Sequence, residues 1–131
     1  TAPDMGGALN LLRVEAGLEP LPHGDIRPVV SHGAMRLVSL GFPEATGAEF
    51  ERLRLRFLEL YSQNLALRTG LFPGIEPVLD KMFGPGSWRY DADEELWIVP
   101  DTQHTGPGRS YFCVRANGDW FKARLDGEHT Q

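Results

Sequence analysis

One cysteine, Cys113, stands in a chain of 131 residues, so no disulfide can form within it. No apolar run approaches the roughly 18 residues needed to cross a bilayer, and the opening residues lack the basic start and apolar stretch of a secretory signal. These absences lead to the expectation of a soluble, cytoplasmic protein with no membrane partner. Basic clusters are missing as well: 18 acidic against 13 basic side chains give a formal charge of -5, which argues against nucleic acid as a partner, since phosphates need a positive footprint. Repeats and low-complexity tracts are absent. The four histidines, His23, His32, His104 and His129, show no paired ligand spacing, and one Cys cannot complete a zinc set. Gly106-Pro107-Gly108 lacks the Lys-Ser/Thr that would make it a phosphate loop, and reads as a turn.

What is present suffices for one ordinary globular domain or two very small ones. At 41% hydrophobic and 24% charged residues, such a chain buries roughly two-thirds of its unfolded surface without staples. Aromatic residues are unevenly placed, because Trp88, Trp97 and Trp120 all fall in the last third together with Tyr90, Tyr111, Phe112 and Phe121. Two structural regimes are therefore expected.

The first regime has helical period. Met5, Ala8, Leu9, Leu12 and Ala16 recur at three- and four-residue spacing, with Thr1 or Asp4 as cap, Pro3 as a preset early turn and Gly17 as the stop. Pro20, Pro22 and Gly24 form a connection. A short helical turn is expected from Asp25 to Val30, and a second helix from near Ser31, with Met35, Leu37, Val38 and Leu40, to a terminator at Gly41. The strongest pattern runs from Thr46 or Ala48 to Arg68. There Phe50, Leu53, Phe57, Leu60, Tyr61 and Leu67 make a stripe that Leu55, Leu58 and Leu65 widen, so this helix is expected to be the spine of a bundle. Gly70 ends it, Pro73-Gly74 turns the chain, and Ile75, Val78, Leu79 and Met82 offer a last amphipathic turn with Pro77 in its first turn.

After Gly84-Pro85-Gly86 the period changes to two. Trp88 and Tyr90, a turn at Asp91-Ala92-Asp93-Glu94, and Leu96 to Val99 read as a hairpin. Tyr111 to Arg115 and Trp120 to Arg124 flank Asn117-Gly118, the dipeptide of type I′ turns, and read as a second hairpin. The fold class expected is α+β: a small helical bundle over residues 1–83, then an antiparallel meander of about four strands within 84–131. The sheet is expected to lean its aromatic face on the helices as one compact unit, or to pair with a second copy in a homodimer.

Three segments of the first regime resemble the helical cap of phosphoglycolate phosphatases, in the haloacid dehalogenase superfamily. Thr1-Ala2-Pro3-Asp4 resembles the stretch that follows the nucleophile loop. Arg27-Pro28-Val29-Val30-Ser31-His32-Gly33-Ala34 resembles the substrate loop of the cap, and Phe72-Pro73-Gly74-Ile75 with Val78-Leu79 resembles the exit from the cap. The resemblance covers about residues 1–83; 84–131 resemble no family. It implies a substrate-binding role for Ser31, His32 and Gly33 against the phosphate ester, with Arg27 nearby and Arg36 one helical turn beyond His32. It implies no catalytic and no metal-binding residue in this chain, because the Asp-x-Asp-Gly-Thr loop and the rest of the core are not in the sequence. The magnesium ion of the complete enzymes is implied for that core alone, and a small phosphorylated metabolite is the expected partner only when a core is supplied.

The expected function is thus a substrate-selecting cap segment without hydrolytic activity of its own. An alternative is a module that binds a protein or ligand through the aromatic sheet, and a third is a recombined or engineered chain with no selected activity, which the absence of an initiating Met favours. Blander readings compete at each position. Ser31 can cap a helix, Asp91 to Glu95 can be a solvated turn rather than a calcium loop, and Cys113 can be a core residue rather than a nucleophile served by His104. The tryptophans can be core rather than a stacking platform.

Overall fold

The computed structural model describes residues 2–69 and 77–125, with side chains for 5–63 and 80–125. Thr1, the turn at Gly70 to Ile75 and His129 lie outside the described residues, as do the side chains of Asp4, Leu65, Leu67, Val78 and Leu79. The helical elements are α1 (Ala2–Glu15), α2 (His23–Ile26), a 3₁₀ helix (Arg27–His32), α3 (Ala34–Gly41), α4 (Gly47–Thr69) and α5 (Pro77–Phe83). The strands are β1 (Arg89–Asp91), β2 (Leu96–Pro100), β3 (Arg109–Arg115) and β4 (Trp120–Leu125), in one antiparallel sheet of order β1-β2-β3-β4. The chain has the expected α+β class.

The central helix is α1, not α4. Ala8, Leu9, Asn10, Leu11, Leu12 and Val14 are all within 1% of complete burial, because α1 touches α4, α3, the 3₁₀ helix and β3. An apolar stripe was expected on one side only, but a helix packed between other helices and a sheet needs no wet face. Its end follows the Schellman pattern: Gly17, at φ +83°, donates to the Val14 carbonyl at 2.9 Å and Leu18 donates to that of Arg13 at 2.9 Å. By contrast the described side chains of α4 bury a stripe of Leu53, Phe57 and Leu60, while Leu55 is 52% exposed. Gly41 has no positive φ; it lets α3 cross close to α1, where a Cβ would stand 2.6 Å from Leu9 Cδ1.

Alternation along the strands gives the sheet two faces. Tyr90, Trp97, Val114 and Trp120 lie in successive register across it and pack with Val99 and Phe112 into the helical core. The rings interlock: Tyr90 and Trp97 centroids are 4.9 Å apart, Trp88 and Trp97 5.8 Å, Phe112 and Trp120 5.6 Å. Trp88 also donates its indole N–H to Asp80 of α5 at 2.7 Å. On the other face Ile98, Cys113 and Phe121 form one row, and Tyr111 lies beside Ala123.

The β3–β4 turn ties the sheet to α1. The loop has three residues, Ala116, Asn117 and Gly118, closed by Gly118 N–H to the Arg115 carbonyl at 2.9 Å, with Gly118 alone at positive φ. This is a type I turn followed by a left-handed glycine, not the expected type I′, and the Asn117 side chain accepts from the Asp119 N–H at 2.9 Å. All three loop carbonyls contact the helical part: Ala116 O accepts from Gly7 N–H at 2.8 Å, Asn117 O lies 3.1 Å from His23 Nδ1, and Gly118 O accepts from Asn10 Nδ2 at 2.6 Å. Glycines make that approach feasible. A Cβ on Gly7 would stand 2.7 Å from the Arg115 carbonyl oxygen, and one on Gly6 2.7 Å from the Asn117 carbonyl carbon.

Candidate functional site

The residues singled out by resemblance sit on the 3₁₀ helix and the first turn of α3. Below them Ile26, Leu37 and Val38 are fully buried, and Val29 and Val30 pack on the same core. Pro28 fits near the start of the 3₁₀ helix, where a missing N–H leaves no carbonyl unserved. Gly33, at φ 92° and ψ 177°, breaks the helix and begins α3. Gly33 is therefore the N-cap, with no side-chain cap bond, and the reading of Ser31 as the cap is overturned. The break also separates His32 from Arg36, so no helical turn runs between them. Arg27, Ser31, His32 and Arg36 are exposed, and none of their side chains forms a hydrogen bond or ion pair with a described residue.

Met35, expected in the core, is 61% exposed, because the buried face of the short α3 is built from Leu37, Val38 and Gly41. The surface thus offers two uncommitted guanidinium groups, a hydroxyl, an imidazole and a thioether. It is open, with Arg27, Ser31, His32, Met35 and Arg36 all exposed. An open polar surface can recognise an oxyanion through arginine, but it neither excludes water nor positions a nucleophile. Chemistry here needs a second surface laid against it.

The other constellations resolve into structure. Asp91 Oδ1 accepts from the N–H groups of Asp93 at 3.0 Å and Glu94 at 3.1 Å, a self-bonded turn rather than a calcium loop. Cys113 lies on the outer sheet face, whereas His104, 3.3 Å from the Pro107 carbonyl, belongs to a cleft lined by Phe112, Lys122 and Arg124 from the opposite face. Burial pushes the Cys113 thiol up from its ordinary value, opposed in part by Arg89 and Arg115, so it is a poor nucleophile. Trp97 is only 2% exposed and Trp88 and Trp120 pack on the core, which removes the tryptophan stacking platform. Among the described residues no three His, Cys, Asp or Glu side chains converge to hold a metal ion. Among the described residues no helix is long and apolar enough to cross a membrane.

Asn10 carries no sequence signature of function, yet it is completely buried and fully bonded. Its amide donates to the carbonyls of Leu21 at 3.1 Å and Gly118 at 2.6 Å, and its Oδ1 accepts from the Leu21 N–H at 2.7 Å. Trp120 Nε1 reaches the same Leu21 carbonyl at 3.2 Å. An asparagine amid apolar helix positions was the only available hint.

No family model matches the chain, and no solved structure matches it. Curated proteins do. A phosphoglycolate phosphatase of Caulobacter vibrioides is 37% identical over 66% of this chain and 38% of its own length. An N-acetylmuramic acid 6-phosphate phosphatase of Pseudomonas putida is 40% identical over 60% of this chain and 36% of its own. With a phosphoglycolate phosphatase of Agrobacterium fabrum the match, at 29% identity, extends over 98% of the chain, strands included, and 58% of the relative. The chain spans little more than a third of the length of the first two relatives. Over about 60% of its residues, this chain is similar to a segment of phosphoglycolate phosphatases.

Proposed function

We propose that the chain supplies the substrate-selecting cap surface of a phosphate-monoester hydrolase and performs no hydrolysis by itself. The observation that carries this reading is its similarity to part of enzymes named for phosphoglycolate and for N-acetylmuramic acid 6-phosphate, joined to the exposed, uncommitted side chains of Arg27, Ser31, His32 and Arg36 around the half-buried Gly33. Two chemistries would operate there. Arg27 and Arg36 attract the ester's charge, with guanidinium geometry suited to oxyanions, while the Ser31 hydroxyl and His32 ring donate or accept at polar groups of the organic part. Met35 offers that part an apolar contact. Laid over a catalytic core, such a surface expels water and discriminates between esters by what it contacts in the closed state. Nucleophile and acid/base groups belong to the core, and no step is assigned to a residue of this chain.

The test is complementation. A phosphatase core lacking its cap is mixed with this chain and assayed on 2-phosphoglycolate and N-acetylmuramic acid 6-phosphate. Hydrolysis of one ester should rise on addition of the chain, and Arg27→Gln with Arg36→Gln should lower kcat/KM about tenfold or more, the loss of a charge-assisted contact. Equal stimulation by the double variant would defeat the assignment of these side chains.

A second reading is favoured by one feature, the outer sheet face, where Phe121 is 45% and Leu125 50% exposed. A homodimer through that face would cover both. Sedimentation equilibrium should then report a dimer that Phe121→Glu dissociates; a monomer at all concentrations excludes it.

A further inference from the structure

A cleft whose lining residues are remote in sequence from the Arg27–Arg36 surface opens beside the sheet. It has a volume of about 420 Å³ and lies between the end of α1, the β2–β3 loop and β4. We propose that this cleft binds a small organic molecule through a single oxyanion group, carboxylate or phosphate, held by Lys122 and Arg124. The inference does not rest on the cap reading.

Four observations support it. Lys122 and Arg124 stand two residues apart on β4, so their side chains share the face that lines the cleft. Lys122 is held in place, with Nζ 3.5 Å from Asp101 Oδ2 and 5.3 Å from the Phe112 ring centroid. Asp101 is itself fixed: its side chain is 11% exposed, its Oδ1 accepts from the Gln103 N–H at 3.0 Å, and Ser110 Oγ lies 3.5 Å from Oδ2. Arg124, finally, has no hydrogen-bond or ion-pair partner among the described residues, leaving its planar fork free for two parallel bonds to an oxyanion.

The lining also defines the rest of the ligand. Val14 and Phe112, 1% and 4% exposed, close the bottom of the cleft, and the lining above them is mainly polar. Glu19 and Asp101 add negative charge to the walls, which disfavours ligands with a second anionic group.

The experiment titrates the full chain with benzoate and with phenyl phosphate, following backbone amide NMR shifts, with benzyl alcohol as the uncharged control. Saturable shifts centred on Gln103, Lys122 and Arg124, in the millimolar range and absent with benzyl alcohol, are expected. Whichever anion binds more tightly identifies the oxyanion. Arg124→Gln should weaken binding about tenfold, and Arg124→Lys less, because an ammonium keeps the charge without the fork. Near-UV circular dichroism of the tryptophans checks that each variant is folded, and Arg124, being exposed, is the variant on which the result turns. No saturation with either anion, equal binding by Arg124→Gln, or shifts confined to residues 27–36 would each overturn the proposal.

Discussion

Asn10 shows how one polar atom group can hold two layers together. Its three hydrogen bonds serve the Leu21 amide and carbonyl and the Gly118 carbonyl, all beside a helix with no wet face. Asn10→Leu keeps the approximate volume but leaves the Gly118 carbonyl and the Leu21 N–H without their partner, Trp120 still serving the Leu21 carbonyl, so it should lower unfolding free energy by about 3 kcal/mol, the cost of leaving buried backbone groups unserved. Chemical denaturation followed by tryptophan fluorescence measures it, and a loss under about 0.5 kcal/mol would mean that water replaces the amide. Cys113 behaves as a packed apolar group. Its thiol is raised by burial, so it should react with a thiol reagent far more slowly in the native than in the denatured chain. The linkage has a definite sign. A raised thiol favours folding below the unfolded-state value, and that contribution disappears as alkali takes the pH through the folded-state value. Native reaction as fast as denatured reaction would place Cys113 at the surface.

At the scale of elements, the contact that matters most is a hairpin turn seated on a helix. Gly6 and Gly7 leave room for the loop backbone, which cannot yield as a flexible side chain would. Gly7→Ala should therefore cost about 1–3 kcal/mol by overpacking, whereas Gly24→Ala, with nothing within 4 Å of its added carbon, should stay within about 0.5 kcal/mol of the parent. Thermal melts of the two variants compare them directly. The elements themselves were legible in the sequence, since Gly17 and the helical period of α1, the run from Thr46 or Ala48 to Arg68, Pro77 and both hairpins are local signals. Which helix lies at the centre was not. Periodicity reports how many apolar residues share a face, not how many neighbours cover the helix, so Leu55 looked core-like and Asn10 looked ordinary. The type I′ expectation failed for a similar reason: Asn117-Gly118 permits both turn types, and the loop's three bonds to the helices decide between them.

As a whole, the molecule is a helical layer and a small sheet sharing one core, with Leu9, Leu12, Phe57, Trp97, Val99 and Phe112 in the same cluster. The Arg27–Arg36 segment is singled out only by its resemblance to a cap loop, since its exposed Arg, Ser and His side chains carry no periodic signature. Under the proposed reading, its openness is that of a surface completed by a catalytic core. Arginine and serine can select an ester, but transfer of a phosphoryl group from a charged ester needs an in-line nucleophile with its charges offset. The central claim is selection without chemistry. Its most direct test is the release of inorganic phosphate from 2-phosphoglycolate by this 131-residue chain alone, with magnesium present. The account predicts a rate no higher than that of buffer; turnover that vanishes on chelation and returns with the metal would contradict it.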